Sequence, residues 1–320
     1  MTSPANVSVG LRIHRITQMC QLQDLGRRGY QNFGVNLSGA MDPCSLRLAN
    51  ILVANPQGMA CLEFALAGAT FEATAESMRI AFVGDFSIRI NGVIQLPNAS
   101  YLLRKGERLD IGPTNGGIHG YLAVSGGFRA QKHLGSCATH LRTGLGGFGL
   151  PMTAGQILPV NNTRADVSLE RYVPAFMVRK PVDRIRVVRG PQSDHFTEAG
   201  LNLFYSKPFQ VSRNSDRMAY RLSGKPIEVT GNGNIISEPV TPGCVQVPAN
   251  GEPMVLMADC GTVGGYPKIA TVISVDVGRL AQFAPGSEFV FEEVSVQLAQ
   301  SLFCEQEQLL DELSKGGLQT

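Results

Sequence analysis

From Cys61 to about Val160 the chain is a succession of short apolar runs: CLEFAL, ATFEATA, MRIAFVG, SIRINGVIQL, ERLDIG and HGYLAVSGG, separated by glycine-bearing turns. No long helical repeat interrupts them. Strands this short can hide their apolar faces only if a sheet closes on itself or packs on a second sheet. The run therefore predicts a barrel or sandwich rather than a parallel α/β sheet. Asn91-Gly92, set between apolar alternations, marks a two-residue hairpin, because both residues accept the positive φ that such a turn needs. With 320 residues the chain is long enough for two domains. The alternation dissolves in NNTRADVSLERYVPAFMVRKP, residues 161–181, and the expected domains are accordingly 1–165 and 166–320.

Outside that run the pattern is sparser. Residues 9–20, VGLRIHRITQMC, alternate as a half-buried strand. Residues 23–30, QDLGRRGY, read as a surface turn with solvated arginines. A helix is expected to start at Asp42-Pro43, since Asp accepts first-turn amides and Pro fits the first helical position. Leu46, Ala49, Asn50 and Val53 share one face of it, and Asn55-Pro56 ends it. Asn50, polar on an apolar stripe, is expected to bond a neighbouring loop. Ser193 to Gly200 predicts a short capped helix, and Asp276 is placed as the cap of a second, VGRLAQF. Val296, Ala299, Leu302, Phe303, Leu309, Leu310 and Leu313 predict a final helix from a Ser295 cap to a Gly316-Gly317 stop.

Charge excludes some functions. With 28 basic and 26 acidic residues the net charge is +2, and no basic block offers a footprint for nucleic acid or a membrane surface. Apolar runs stay short of the roughly 20 residues that cross a bilayer. The start of the chain lacks a signal-peptide pattern, so a cytoplasmic protein is expected. Seven cysteines without a CxxC pair, and five unclustered histidines, predict reduced thiols and no metal site.

Chemistry concentrates in the second half. The run MVLMADCGTVGGYPKIATVISV, from Met254, crowds Gly261, Gly264, Gly265, Tyr266, Pro267 and Lys268 between two apolar segments. Glycines there permit unusual backbone angles and close approach of a ligand. Ser215, Asp216, Arg217 and Tyr220 stand in one segment, Gln246 within CVQVP, and Asp259 at the end of a buried run. Arg217 offers a planar fork for a carboxylate or amide, and Lys268 a point charge for a developing oxyanion. The competing readings are structural: Asp216-Arg217 as an ion pair, and Asp259 as a tie for the following loop. Lys268 is expected to be partly buried by its strand, where a charge needs a reason. RTGLGGFG at 142–149 lacks the GK[ST] ending of a phosphate loop and reads as a flexible or tightly turned loop. No GxSxG elbow or cysteine nucleophile signature occurs.

The segments QDLGRRGYQNFGVNLSGAMDPCSLRLANILVANP, GYLAVSGGF, LGSCAT, NSDRMAYRLSG and CVQVPANGEPMVLMADCGTVGGYPKIATVISVDVGRLAQFAPG together resemble the biotin-dependent carboxyltransferase family, from about residue 10 to residue 295. That family takes in KipA-type proteins, the C component of bacterial 5-oxoprolinase (also called allophanate hydrolase subunit 2) and part of urea carboxylase. The resemblance implies a mainly β fold of two cyclophilin-like β-barrel subdomains, with a few short helices and a C-terminal helix. It implies one component of an enzyme complex that opens 5-oxoproline to glutamate. The implied partners are a KipI-type B component and an A component of 5-oxoprolinase, ATP being used by the complex at a site not located in this chain. Biotin would take part only if supplied by another chain, since no AMKM-type acceptor is present. Two alternatives stay open: a KipA-type regulator that antagonises a KipI-type kinase inhibitor, and a protein related to urea carboxylase. Under the resemblance, Lys268, Arg217 and Asp216 are catalytic, and Tyr266, Gln246, Ser215, Gly264, Gly265 and Asp259 bind a small amide substrate. The chain departs from the family pattern at Gly261 and Val263, where Gln and Thr are usual, and at Ala219 and Pro239, where Gly is usual. An arginine usual after the glycine at Gly149 is replaced by Leu150.

Overall fold

The computed structural model describes residues 9–17, 19–148, 151–162, 164, 170–178 and 182–316. Gly149 and Leu150, where the family arginine is missing, lie outside them, as do parts of the expected junction at 161–181. The chain divides into two compact units. One comprises Met1–Gly26, Pro43–Arg179 and Leu310–Thr320, the other Arg27–Asp42 and Lys180–Leu309.

The first unit holds eleven described strands and one complete α-helix. The strands are β1 (Gly10–Arg15), β2 (Gln21–Gln23), β3 (Cys61–Ala65), β4 (Thr70–Ala73), β5 (Ser77–Val83), β6 (Phe86–Ile90), β7 (Val93–Gln95), β8 (Ala99–Arg104), β9 (Arg108–Thr114), β10 (His119–Val124) and β11 (Ile157–Pro159). They form a six-stranded sheet in the order β11-β1-β4-β9-β6-β7 and a five-stranded sheet in the order β2-β3-β10-β5-β8. Both ladders are antiparallel throughout. Phe64, Phe71, Phe82 and Phe86 form the aromatic centre of its core. Fully burying each such ring is worth about 1.5–3 kcal/mol. The expected hairpin is present: Asn91 (φ 49°) and Gly92 (φ 81°) join β6 to β7.

Helix α1 (Pro43–Leu52) packs on β10, β5 and β3. Asn50 is fully buried on it. Its amide donates to Met59 O at 2.7 Å and its Oδ1 accepts from Asn55 at 3.0 Å, which makes it the loop tie that its place on an apolar stripe predicted. Residues 142–148 are indeed a tight turn, with Gly144, Gly146 and Gly147 at positive φ.

The second unit contributes β12 (Arg184–Arg189), β13 (Phe209–Val211), β14 (Ala219–Ser223), β15 (Glu238–Pro239), β16 (Cys244–Gln246), β17 (Met254–Leu256), β18 (Val263–Gly264), β19 (Lys268–Val272) and β20 (Glu288–Glu293). Seven of these close a barrel in the order β12-β19-β16-β17-β14-β13-β20, sealed by the parallel pair β12–β20. The other two, β15 and β18, form a separate ribbon. Phe204, Phe209, Phe289 and Phe291 fill the core around the barrel. The fold is thus mainly β, and a closed barrel is seen in the second unit.

Two helix expectations shift. The helix expected at Ser193–Gly200 is a single 3-10 turn, Ser193–His195, followed by α2 (Glu198–Ser206). Thr197 caps α2 by accepting the Gly200 N–H at 3.0 Å, a better cap than Ser193 because it directly precedes the helical run. In α3 (Ser274–Leu280) Asp276 is no cap. It lies buried in the first turn and takes the Arg186 guanidinium in a bidentate pair at 2.8 and 2.7 Å. Helix α4 (Val296–Ser314) matches expectation, with Ser295 Oγ accepting the Leu298 N–H at 3.1 Å. No described helix is long and apolar enough to cross a membrane.

Candidate functional site

All nine residues singled out for chemistry lie in the second unit, in three separate settings. The first is the end of β19. Lys268 opens that strand, opposite Gln246 across a bulge in the β16–β19 ladder. Its relative exposure is 6%, as the strand context implied. A buried ammonium needs a counter-charge, and Glu238 of β15 supplies it by pairing directly with Nζ. Burial still pushes the Lys268 pKa below the ordinary lysine value.

Glu238 is held in turn. Gln192, in the turn after β12, donates from Nε2 to Glu238 Oε1 at 2.8 Å, while its own Oε1 accepts the Lys268 N–H at 3.2 Å. Gly190 makes this approach possible, since a Cβ there would run into the backbone of Lys268 and Ile269. Neither Glu238 nor Gln192 was among the sequence candidates. The signal lay in SEPV and RGPQ, but a polar residue beside a proline looks like an ordinary turn until its partner is known.

The glycine loop covers the same place. Gly264 pairs with Glu238 in the β15–β18 ribbon, and Ile235 N–H donates to Gly265 O at 2.9 Å. Neither Gly261, Gly264 nor Gly265 sits at positive φ. The need is spatial: a Cβ on Gly264 would strike the Gln246 amide. The close approach therefore serves Gln246, whose Nε2 donates to Tyr266 O at 3.4 Å and braces the loop from below. Tyr266 (38% exposed), Val263 and Ile236 present apolar surface on this ribbon. Pro239, where a glycine is usual, lies opposite Val263 in the ribbon. The flanking amides of Ile235 and Val240 carry hydrogen bonds on either side, so the missing proline N–H is tolerated.

The second setting is a brace. Arg217 does not pair with its sequence neighbour Asp216. It forks onto Asp259, 42 positions away, through Nε at 2.8 Å and Nη2 at 3.1 Å. Nη2 also donates to Gly39 O at 2.6 Å, and Asn36 Nδ2 donates to both Asp259 O and Cys260 O at 2.8 Å. Residues 27–42 thus fasten the chain just before the glycine loop. Arg27, read from sequence as solvated, is fully buried there, its N–H donating to Leu37 O at 2.7 Å; Arg28 is exposed. The Cys260 thiol is pushed up to about 12, by burial first and by Cys244 and Asp259 next, so it is no nucleophile. Ala219, another position where glycine is usual, packs its methyl group in the apolar cluster of Val240, Cys244, Leu256 and Cys260.

The third setting is the turn between β13 and β14. Asp216 Oδ1 accepts the Met218 and Ala219 N–H groups at 2.8 and 3.1 Å, and Ser215 Oγ bridges Arg221 N and O. These side chains are occupied within the turn. No group of three or more His, Cys, Asp or Glu able to hold a metal occurs among the described residues, and all seven cysteines are free thiols.

Residues 33–293 match the family model described as carboxyltransferase domain, subdomain A and B. The chain is 33% identical to the C component of 5-oxoprolinase from Escherichia coli K12, over 95% of this chain and 97% of that one. It is 35% identical to the Haemophilus influenzae protein of the same description, over 92% and 94%. Among solved structures, K. lactis urea amidolyase superposes with a TM-score of 0.85 at 24% identity, covering 99% of this chain and 21% of that one. The chain thus spans about a fifth of that larger protein, and the likeness is one of fold.

Proposed function

Because this chain belongs to the carboxyltransferase domain family of subdomains A and B, we propose that it is the C component of an ATP-dependent 5-oxoprolinase. It would work in the cytosol with a KipI-type B component and an A component, opening the lactam of 5-oxoproline to glutamate. The observation that carries this reading is the 33% and 35% identity, over nearly their full lengths, to two relatives described as this same component of 5-oxoprolinase. The cyclophilin-like character of both subdomains belongs to the same reading.

The end of β19 supports a chemical role. A buried ammonium beside a partly exposed tyrosine can stabilise negative charge developing on an amide oxygen, where a fixed charge in a poorly solvated place acts most strongly. In this assignment Lys268 and Tyr266 face the substrate, and Gln246, Gly264 and Gly265 shape the wall behind them. Arg217 and Asp259 hold the loop in place, while Asp216 and Ser215 fix the adjoining turn. ATP is assigned no site here. In the glycine cluster the N–H groups of Gly144 and Gly147 are already bonded, to His140 O and Cys137 O, which does not fit a phosphate cradle.

The test is reconstitution. Co-purified with its B and A partners, the chain should support ATP-dependent release of glutamate from 5-oxoproline. Tight binding to the B partner with no turnover would sink the catalytic reading and leave a binding protein of the KipA type.

A further inference from the structure

We propose that Glu238, seated by Gln192, is the positioning residue that keeps the Lys268 side chain charged and aimed in the candidate site. The geometry carries it. Three segments distant in sequence converge on one ammonium: β19 provides Lys268, the β15–β18 ribbon provides Glu238, and the turn after β12 provides Gln192. Gln192 touches both ends of the pair, accepting from the Lys268 backbone and donating to the Glu238 carboxylate. Its Oε1 and Nε2 thereby set the separation of lysine and glutamate, and Gly190 lets that turn lie against β19.

The neighbouring charges do not offer a substitute. On β12, Arg189 pairs with Glu293. On the 3-10 turn beside β19, Asp194 is exposed and His195 half-buried, and neither forms an ion pair with Lys268. Glu238 is therefore the carboxylate that opposes the loss of the Lys268 proton, while burial favours that loss. A second feature separates positioning from simple stabilisation. Glu238 belongs to a two-stranded ribbon outside the barrel ladder and its side chain is 38% exposed, so the barrel does not depend on it.

This inference deepens the proposed function and rests on Lys268 being the working cation. Its test is built so that the two can fail separately. The full chain is treated with acetic anhydride across a pH series, and modification of Lys268 is followed by peptide mass spectrometry. In Glu238→Gln the midpoint for Lys268 should fall by about 1 pH unit or more, raising the uncharged fraction at a fixed pH about tenfold. Glu238→Asp should recover part of the shift, and Gln192→Ala should give a smaller shift in the same direction. An unchanged midpoint in folded Glu238→Gln, or a Gln192→Ala midpoint equal to wild type, overturns the proposal. In the assembled complex the alkaline limb of turnover should move with the labelling midpoint. If Lys268→Met leaves turnover intact while the Glu238→Gln midpoint still falls, the positioning role stands and the catalytic reading of the site is lost.

Discussion

Arg217–Asp259 and Lys268–Glu238 are both ion pairs of the same unit, and they are built differently. Arg217 is a fork on a fork, with both side chains nearly out of solvent and further hydrogen bonds from Asn36 and to Gly39 O. Lys268 is a single point charge whose partner is 38% exposed on a ribbon. The first arrangement engages both carboxylate oxygens of Asp259 and two nitrogens of Arg217 within the protein. The second leaves one face of the pair accessible. Full satisfaction rigidifies a site, and partial exposure makes it available for chemistry.

The contrast makes opposite demands on mutants. Arg217→Ala strands a buried carboxylate and should cost about 3–5 kcal/mol of stability, read as a large drop in the urea midpoint. A loss below about 1 kcal/mol would erase the distinction. Lys268→Met should do the reverse: the urea midpoint should hardly move, because Glu238 can rehydrate, while turnover of the assembled complex should fall about 10²–10³-fold. Unchanged turnover removes Lys268 as the working group.

Asn36→Ala comes next, with an expected loss of about 1–3 kcal/mol from two carbonyls left without a donor. It tests whether residues 27–42 act as a brace. Stability should also depend on pH in a defined sense. The folded-state pKa of Lys268 is lowered, so the native chain binds fewer protons than the unfolded one between the two values. The contribution of Lys268 to stability therefore rises as pH climbs through that window. The difference in urea midpoint between wild type and Lys268→Met should shift accordingly as pH rises toward the ordinary lysine value. The smallest expected effect concerns Gly261, which has ordinary space for a Cβ and a normal φ. Gly261→Gln with Val263→Thr should leave stability within about 0.5 kcal/mol. Any change would then appear in turnover, measured in the complex.

The glycine-rich loop was legible because such a stretch between two apolar runs is rare, and Lys268 emerged as buried for the reason its strand implied. The partners were not legible. Asp216 adjoins Arg217 in sequence, but the side chain of Asp216 caps its own turn while the guanidinium reaches a residue 42 positions on. In this turn the Asp216 carboxylate is taken up by the Met218 and Ala219 N–H groups, so sequence proximity is a poor guide to pairing. Arg27 misled for a related reason, since a polar, glycine-punctuated stretch resembles a solvated turn unless something is known to pack over it.

What the sequence determined by itself was the local repertoire: short strands, the Asn91-Gly92 hairpin, the Asn50 tie, the Ser295-capped final helix and the glycine loop. Each depends on backbone preference or on residues close along the chain. Only the tertiary structure decided that residues 27–42 join the second unit, that Arg217 pairs with Asp259, and that Glu238 and Gln192 converge on Lys268. Those outcomes depend on which distant backbone segments barrel closure brings within hydrogen-bond reach, and a 2.8 Å contact such as that of Gln192 with Glu238, 46 positions away, leaves no local trace.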